Sequence, residues 1–121
     1  MDAPDIRDRA MDYVVRAVKV FTYLKRRKNE AGVIFGRQYL RSAGSIGANL
    51  AEAKSAQSRA DFVHKNAIAQ KEARESLYWL KVMQRAGLIP PDRVDPLIQE
   101  TQEIVAIITT IIVNTKRNSK E

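Results

Sequence analysis

The stretch 6-IRDRAMDYVVRAVKVFTYLKRRK-28 decides the fold. Its apolar positions Ile6, Ala10, Tyr13, Val14, Ala17, Phe21 and Leu24 recur at three- and four-residue steps, the period of one buried helical face. Pro4 stands just before the start. Asp5 and Asp8 lie near the positive end of the helix dipole and Lys25 to Lys28 near its negative end, so charge order agrees with periodicity. A helix over about 5–28 is expected.

Moving outward, Gly32 and Gly36 read as a loop that leads into a second helix over about 37–54, with Leu40, Ala43, Ile46, Gly47, Leu50 and Ala51 facing inward. Gly44, Gly47 and Ala48 sit within it. Glycine weakens a helix by up to ~1 kcal/mol relative to alanine, so these small residues imply a neighbouring backbone packed close, and helix 2 is expected to be central. Ser58 with Asp61 forms a capping-box variant that opens a third helix over about 58–86, carrying Phe62, Ala69, Ala73, Leu77, Leu80 and Met83 on one stripe. Gly87 suits a left-handed C-terminal cap. Asp95 before Pro96 reads as the cap and first residue of a fourth helix over about 95–116, followed by a basic tail over 116–121. Its apolar set is Leu97, Ile98, Ile104, Val105, Ile108, Ile111 and Ile112. The β-branched run from Val105 to Val113 favours a strand by propensity, yet no partner strand is evident, and the helical spacing decides.

Short connections make neighbouring helices antiparallel, so the expected architecture is all-α, an antiparallel up-down-up-down four-helix bundle forming a single domain over 1–121. A second apolar stripe runs beside the first on helix 3 (Ile68, Trp79, Val82 and Ala86), and Ile107 and Val113 extend the apolar face of helix 4. One bundle core does not need this width. Surplus apolar surface marks an interface, so self-association through Ile68, Trp79, Val82, Ile107 and Val113 is expected.

The 121 residues carry a formal charge of +7, a balance that favours acidic polymers or anionic surfaces. The excess is uneven, because Val94 to Asn114 contains no basic residue while Lys25, Arg26, Arg27 and Lys28 form a cluster, with Arg37 and Arg41 across the loop. These six residues are candidate phosphate contacts in binding that is strong at low salt and largely blind to sequence. Dipole matching at a helix end accounts equally well for the cluster itself.

Other chemistry finds little support. There is no cysteine, hence no disulfide framework or thiolate metal site. A bundle di-metal centre needs Glu-x-x-His pairs, whereas His64 is the sole histidine and lacks a glutamate three residues before it. Glu52, Glu72 and Glu75 are expected to pair with Arg41, Arg74 or Lys71. No metal, cofactor or catalytic residue is expected. Arg59 and His64 match the Arg-x-x-x-x-His spacing of small helical ribonucleases, in which histidine serves as general acid or base, but two common residue types recur at one spacing by chance and an exposed pair is the favoured reading. No Gly-Lys-Ser/Thr phosphate loop is present. Asn49, beside Leu50, reads as a buried amide whose partner fixes helix register. Val105 to Val113 falls far short of the ~20 residues that span a bilayer, and MDAPDIRDRA lacks the features of a secretory signal, so a cytoplasmic protein without a membrane partner is expected.

The run Gln38-Tyr39-Leu40-Arg41-Ser42-Ala43-Gly44-Ser45-Ile46-Gly47-Ala48-Asn49-Leu50-Ala51-Glu52-Ala53 resembles the signature of the bacterial four helix bundle protein family, encoded in intervening sequences of 23S ribosomal RNA genes. Lys71-Glu72-Ala73-Arg74-Glu75-Ser76-Leu77-Tyr78-Trp79-Leu80, followed by Ala86-Gly87-Leu88-Ile89, looks like that family's third helix and its exit. Ala53 departs from the family's usual glycine, so helix 2 is expected to continue there. The resemblance implies a four-helix bundle assembled as a homopentamer, similar to the accessory protein of diversity-generating retroelements, a basic ring that binds nucleic acid and a reverse transcriptase. It carries no catalytic residues with it. The expected function is a non-enzymatic, self-assembling protein that binds RNA or DNA through its basic face. An alternative is a protein-interaction scaffold, and a ribonuclease ranks last.

Overall fold

Side-chain caps fix where three of the helices begin. A computed structural model describes residues 5–118, and within them Asp5 accepts from the Arg7 N–H at 2.7 Å, Asn29 from the Gly32 N–H at 2.9 Å and Ser58 from the Asp61 N–H at 3.0 Å. The resulting helices are α1 (Ile6–Arg26), α2 (Glu30–Lys54), α3 (Arg59–Arg85) and α4 (Pro91–Asn118), with no strand among the described residues. Gly87, at φ +70°, ends α3 as expected. Its N–H reaches the Gln84 carbonyl and the Leu88 N–H that of Met83 at 2.9 Å, the paired bonds of a Schellman motif.

Two boundaries differ from the sequence expectation. α2 starts at Glu30 rather than near Arg37, because Gly32 and Gly36 are not loop residues. Both are buried against Leu24, and a Cβ added at Gly36 would lie 2.8 Å from Leu24 Cδ1, so glycine there allows α1 and α2 to approach. α4 starts at Pro91 rather than Asp95. Proline suits a first turn, and the Pro90 carbonyl accepts from the N–H groups of Arg93 and Val94, which buries Val94 a turn earlier than expected. Pro96 then falls inside the helix, and Asp95, rather than capping, accepts from Gln84 of α3 at 2.9 Å. The expected basic tail is partly helical: Lys116, Arg117 and Asn118 belong to α4, whereas 119–121, like Pro4, lie outside the described residues.

The helices form an antiparallel up-down-up-down bundle in which α2 packs broadly on α1 and α3, and α3 on α4, while α1 and α4 share a much thinner seam. The core joins Ala10, Tyr13, Ala17 and Leu24 to Tyr39, Ala43, Ile46 and Leu50, to Ala69, Ala73, Leu80 and Met83, and to Val94, Leu97, Ile104 and Ile108. Ala51, expected inside, is exposed, and the polar Ser42, Asn66, Ser76 and Thr101 take core positions. Each polar group is satisfied: Ser42 and Ser76 bond across α2 and α3 at 2.7 Å, Tyr13 and Thr101 across α1 and α4 at 2.6 Å, and Asn66 donates to the Phe62 carbonyl.

Candidate nucleic-acid interface

The fold brings the two loop-bearing stretches 25–37 and 81–95 to the same end of the bundle. Together they hold eight basic residues against three acidic ones, net +5 of the chain's +7. Lys25, Arg26, Lys28 and Arg37 are exposed there and pair with no carboxylate among the described residues. Arg27 instead lies over the Tyr23 ring, 5.6 Å from its centroid. Lys28 ends α1 in the left-handed region at φ +57°, a conformation that costs a residue with a Cβ about 1 kcal/mol relative to glycine.

Arg41 stands apart from the other five candidates. One turn below Arg37, its guanidinium faces Glu72 at 3.4 Å and binds Glu75, which also accepts from the Trp79 indole N–H at 3.1 Å. Two carboxylates therefore already match its charge. Glu52 pairs with Lys65 at 2.8 Å, tying α2 to α3 rather than bonding to the expected Arg41, Arg74 or Lys71.

A second basic feature lies along the α1–α4 seam. Arg9 binds Glu100 in a two-pronged pair at 2.7 Å, which holds the Glu100 carboxyl below the ordinary glutamate value, and Tyr13 meets Thr101 one turn on. Beyond these ties, toward the basic end, a cleft of about 200 Å3 opens between the helices, with Arg16, Lys19, Tyr23 and Arg93 on its walls and Val20, Ile89 and Leu97 beneath. An adjoining hollow of about 310 Å3 adds Thr22 and Arg26. The Arg93 guanidinium sits over the Tyr23 ring at 4.6 Å. Apart from Arg26, none of the cleft's polar residues was among the candidate contacts read from the sequence, although 16, 19, 23 and 26 share one helical stripe; the missing information was that α4 faces it.

The expected association residues are distributed differently from a free surface stripe. Ile68, Trp79, Val82 and Ile107 are half-buried and Val113 is exposed. Trp79 packs on Phe35 at 5.8 Å, so part of the surplus width on α3 is used inside the bundle. Exposed apolar side chains also form a stripe on α1, where Met11 is 65%, Val15 46% and Val18 48% exposed, while Ile34, Tyr78 and Val113 are exposed one to each of the other helices. Beside Met11 runs a groove of about 640 Å3 between α1 and α2, floored by Gly44, Gly47, Ala48 and Ala51. A Cβ at Gly47 would meet Val14 at 3.1 Å, whereas one at Gly44 would meet nothing within 4 Å, so close packing explains the first glycine and not the second.

The remaining candidates stay separate. Arg59 and His64 are both exposed on α3, and five residues place them about 140° apart around the helix. Asn49 is not buried as expected, and it donates to the Ser45 carbonyl at 2.8 Å, within its own helix. Among the described residues no group of three His, Asp or Glu side chains could hold a metal. α4, at 28 residues, is by length and composition long and apolar enough to cross a membrane, unlike the shorter run judged from sequence; in the bundle its Val94, Leu97, Ile104 and Ile108 face the other helices.

A family model described as 23S rRNA-intervening sequence protein matches residues 4–110. The chain belongs to this family. A crystal structure from Bacteroides thetaiotaomicron VPI-5482, a protein of unknown function from the S23 ribosomal protein family, is 37% identical and superposes with a TM-score of 0.83, over 89% of this chain and 98% of that one. No curated protein matches. The helix 2 run that suggested the 23S rRNA-intervening sequence family lies within the matched residues, and its Gly44, Gly47, Ala48 and Ala51 form the floor of the α1–α2 groove.

Proposed function

We propose that this chain is a non-enzymatic, self-assembling four-helix-bundle protein of the cytoplasm that binds RNA or DNA through its basic end. The observation that carries the reading is the gathering of net +5 at one end, with Lys25, Arg26, Lys28 and Arg37 unmatched by carboxylates among the described residues. Such a surface neutralises phosphates and releases counterions. Arg41, with its charge already matched, contributes little to it.

Fluorescence anisotropy with labelled structured RNA, single-stranded DNA and duplex DNA at ~50 and ~200 mM salt tests the reading. Affinity is expected to fall steeply with salt. Changing Lys25, Arg26, Arg27 and Lys28 together to alanine should flatten the salt slope by about one for each phosphate that is no longer neutralised. Absence of binding at the lower salt refutes it and leaves the protein-interaction scaffold.

Self-assembly is supported by the exposed Met11, Val15 and Val18 beside the small-residue groove, a surface suited to a helix of a second copy. The resemblance implies five subunits. Sedimentation equilibrium checks this, with Met11→Glu expected to shift the protein toward monomer; a wild type that sediments as a monomer at all concentrations removes this part.

A further inference from the structure

We propose that the cleft between α1 and α4 holds one unpaired nucleotide of a bound strand, with its phosphates on Arg16, Lys19 and Arg26 and its base on the Arg93 guanidinium that Tyr23 backs. This deepens the nucleic-acid reading and rests on it. The cluster at Lys25 to Lys28 is convex and offers charge alone, which suffices for phosphates. The cleft differs in kind. Its floor is apolar, with Val20, Ile89 and Leu97 at 9%, 2% and 3% exposure, and phosphates gain nothing from such a floor.

A flat, apolar-faced group bearing negative charge fits both halves of this lining. An unpaired base stacks on guanidinium planes as well as on aromatic rings, and the Arg93 guanidinium, already seated over the Tyr23 ring at 4.6 Å, offers its outer face with Tyr23 as its backing. Arg16, Lys19 and Arg26 form no ion pair with the described residues, so their charge is available at the rim. Asp92 is the single carboxylate in the lining and can accept from the donors that a base edge presents. A duplex keeps its bases stacked within, so it reaches the rim but not the floor. The proposed site therefore distinguishes single strands from duplexes, which the basic end by itself does not.

The test compares an unstructured RNA strand, a fully paired RNA hairpin and free uridine monophosphate, binding to wild type, Tyr23→Leu, Tyr23→Phe and Arg93→Gln. Tyr23→Leu should weaken strand binding about tenfold, the low end for one base–aromatic stack, and hairpin binding less than about twofold. Tyr23→Phe should bind as wild type does. Arg93 is exposed, so Arg93→Gln keeps the fold and should also lower strand binding more than hairpin binding. On the unmodified protein, a 4-thiouridine strand should photo-crosslink to the peptide containing Tyr23. Equal losses for strand and hairpin, no loss in either, a crosslink only at Lys25 to Lys28, or a mononucleotide that binds as well as the strand would each overturn the site while leaving the basic end intact. A wild type that binds neither polymer takes down both readings.

Discussion

Gly36 and Gly44 occupy the same helix and carry the same local propensity, but only one of them has room for a methyl group. Alanine at either site gains up to ~1 kcal/mol in helix propensity. At Gly44 nothing within the same chain opposes the gain, because none of its atoms lies within 4 Å of the new Cβ. At Gly36 the Cβ comes within 2.8 Å of Leu24 Cδ1 and 3.4 Å of Phe21 Cδ1. Leu24 has little freedom to yield, since it is 1% exposed and its other δ-carbon already stands 3.1 Å from the equivalent point at Gly32. Overpacking of this kind costs ~1–3 kcal/mol, so Gly36→Ala should range from neutral to ~2 kcal/mol destabilising, and the two variants should differ by ~1–3 kcal/mol. Urea unfolding followed by far-ultraviolet circular dichroism, at one protein concentration and with sedimentation confirming a single species, measures the difference. In a Leu24→Ala background the clash is gone, and Gly36→Ala should become stabilising. If Gly36→Ala stabilises as much as Gly44→Ala in the wild-type background, the close approach of α1 and α2 is wrong.

Further outcomes follow from buried hydroxyls, an ion pair and a strained turn. Tyr13→Phe should cost ~1 kcal/mol by removing the 2.6 Å bond to Thr101, whereas Tyr39→Phe should cost nothing, because the Tyr39 hydroxyl is buried without a bonded partner. Burial raises the pKa of both phenols, Tyr39 most, so the folded state holds protons that the unfolded chain releases; stability is complete below pH ~10 and falls above it, and alkaline unfolding should move to higher pH in the double phenylalanine variant. Glu100 is shifted the other way by its bond from Arg9, so its contribution is complete above the unfolded carboxylate value and is lost as pH falls through the folded one. Glu100→Gln should therefore cost ~1–2 kcal/mol at neutral pH and progressively less as pH falls through the folded value, as read from paired urea titrations. Lys28→Gly should raise stability by ~1 kcal/mol, by relieving a left-handed lysine, and at the same time lower the salt slope of nucleic-acid binding by about one; a variant that binds unchanged would mean Lys28 touches no phosphate.

Helical spacing and caps made most of the fold legible. Ser58, Gly87 and the α1 stripe stand where the sequence placed them, because each acts through its own few neighbours. The misreadings share one cause. Gly32, Gly36 and Pro96 are helix breakers by local chemistry, and tertiary packing overrode it: Leu24 requires the glycines, and burial of Val94 starts α4 before the proline. Ser42, Ser76 and Thr101 escaped notice because apolar spacing ignores polar residues that satisfy one another in pairs. At the candidate site, Lys25 to Lys28 could be seen as a run along the chain. The Tyr23 cleft could not, since its far wall, Arg93, is seventy residues away in sequence and no local pattern announces the pairing.

The distribution of carboxylates distinguishes the two explanations of the basic cluster. Ion pairs among the described residues run along the body of the bundle and its opposite end, through Asp5, Glu52, Glu72, Glu75, Glu100 and Glu103, and none lies among Lys25, Arg26, Lys28 and Arg37. Dipole matching accounts for Lys25 and Arg26 in the last turn of α1, at ~0.3–1 kcal/mol each. It also accounts for Arg85, in the last turn of α3, but not for Arg37, which lies two turns into α2. Nor does it explain a lysine in the left-handed position that glycine would fill at lower cost. Self-repulsion among these cations weakens the fold at low salt, the condition under which they would hold phosphates most tightly. Added salt should then stabilise the bundle while loosening any bound strand, and those opposite signs separate charge kept for binding from charge kept for helix ends.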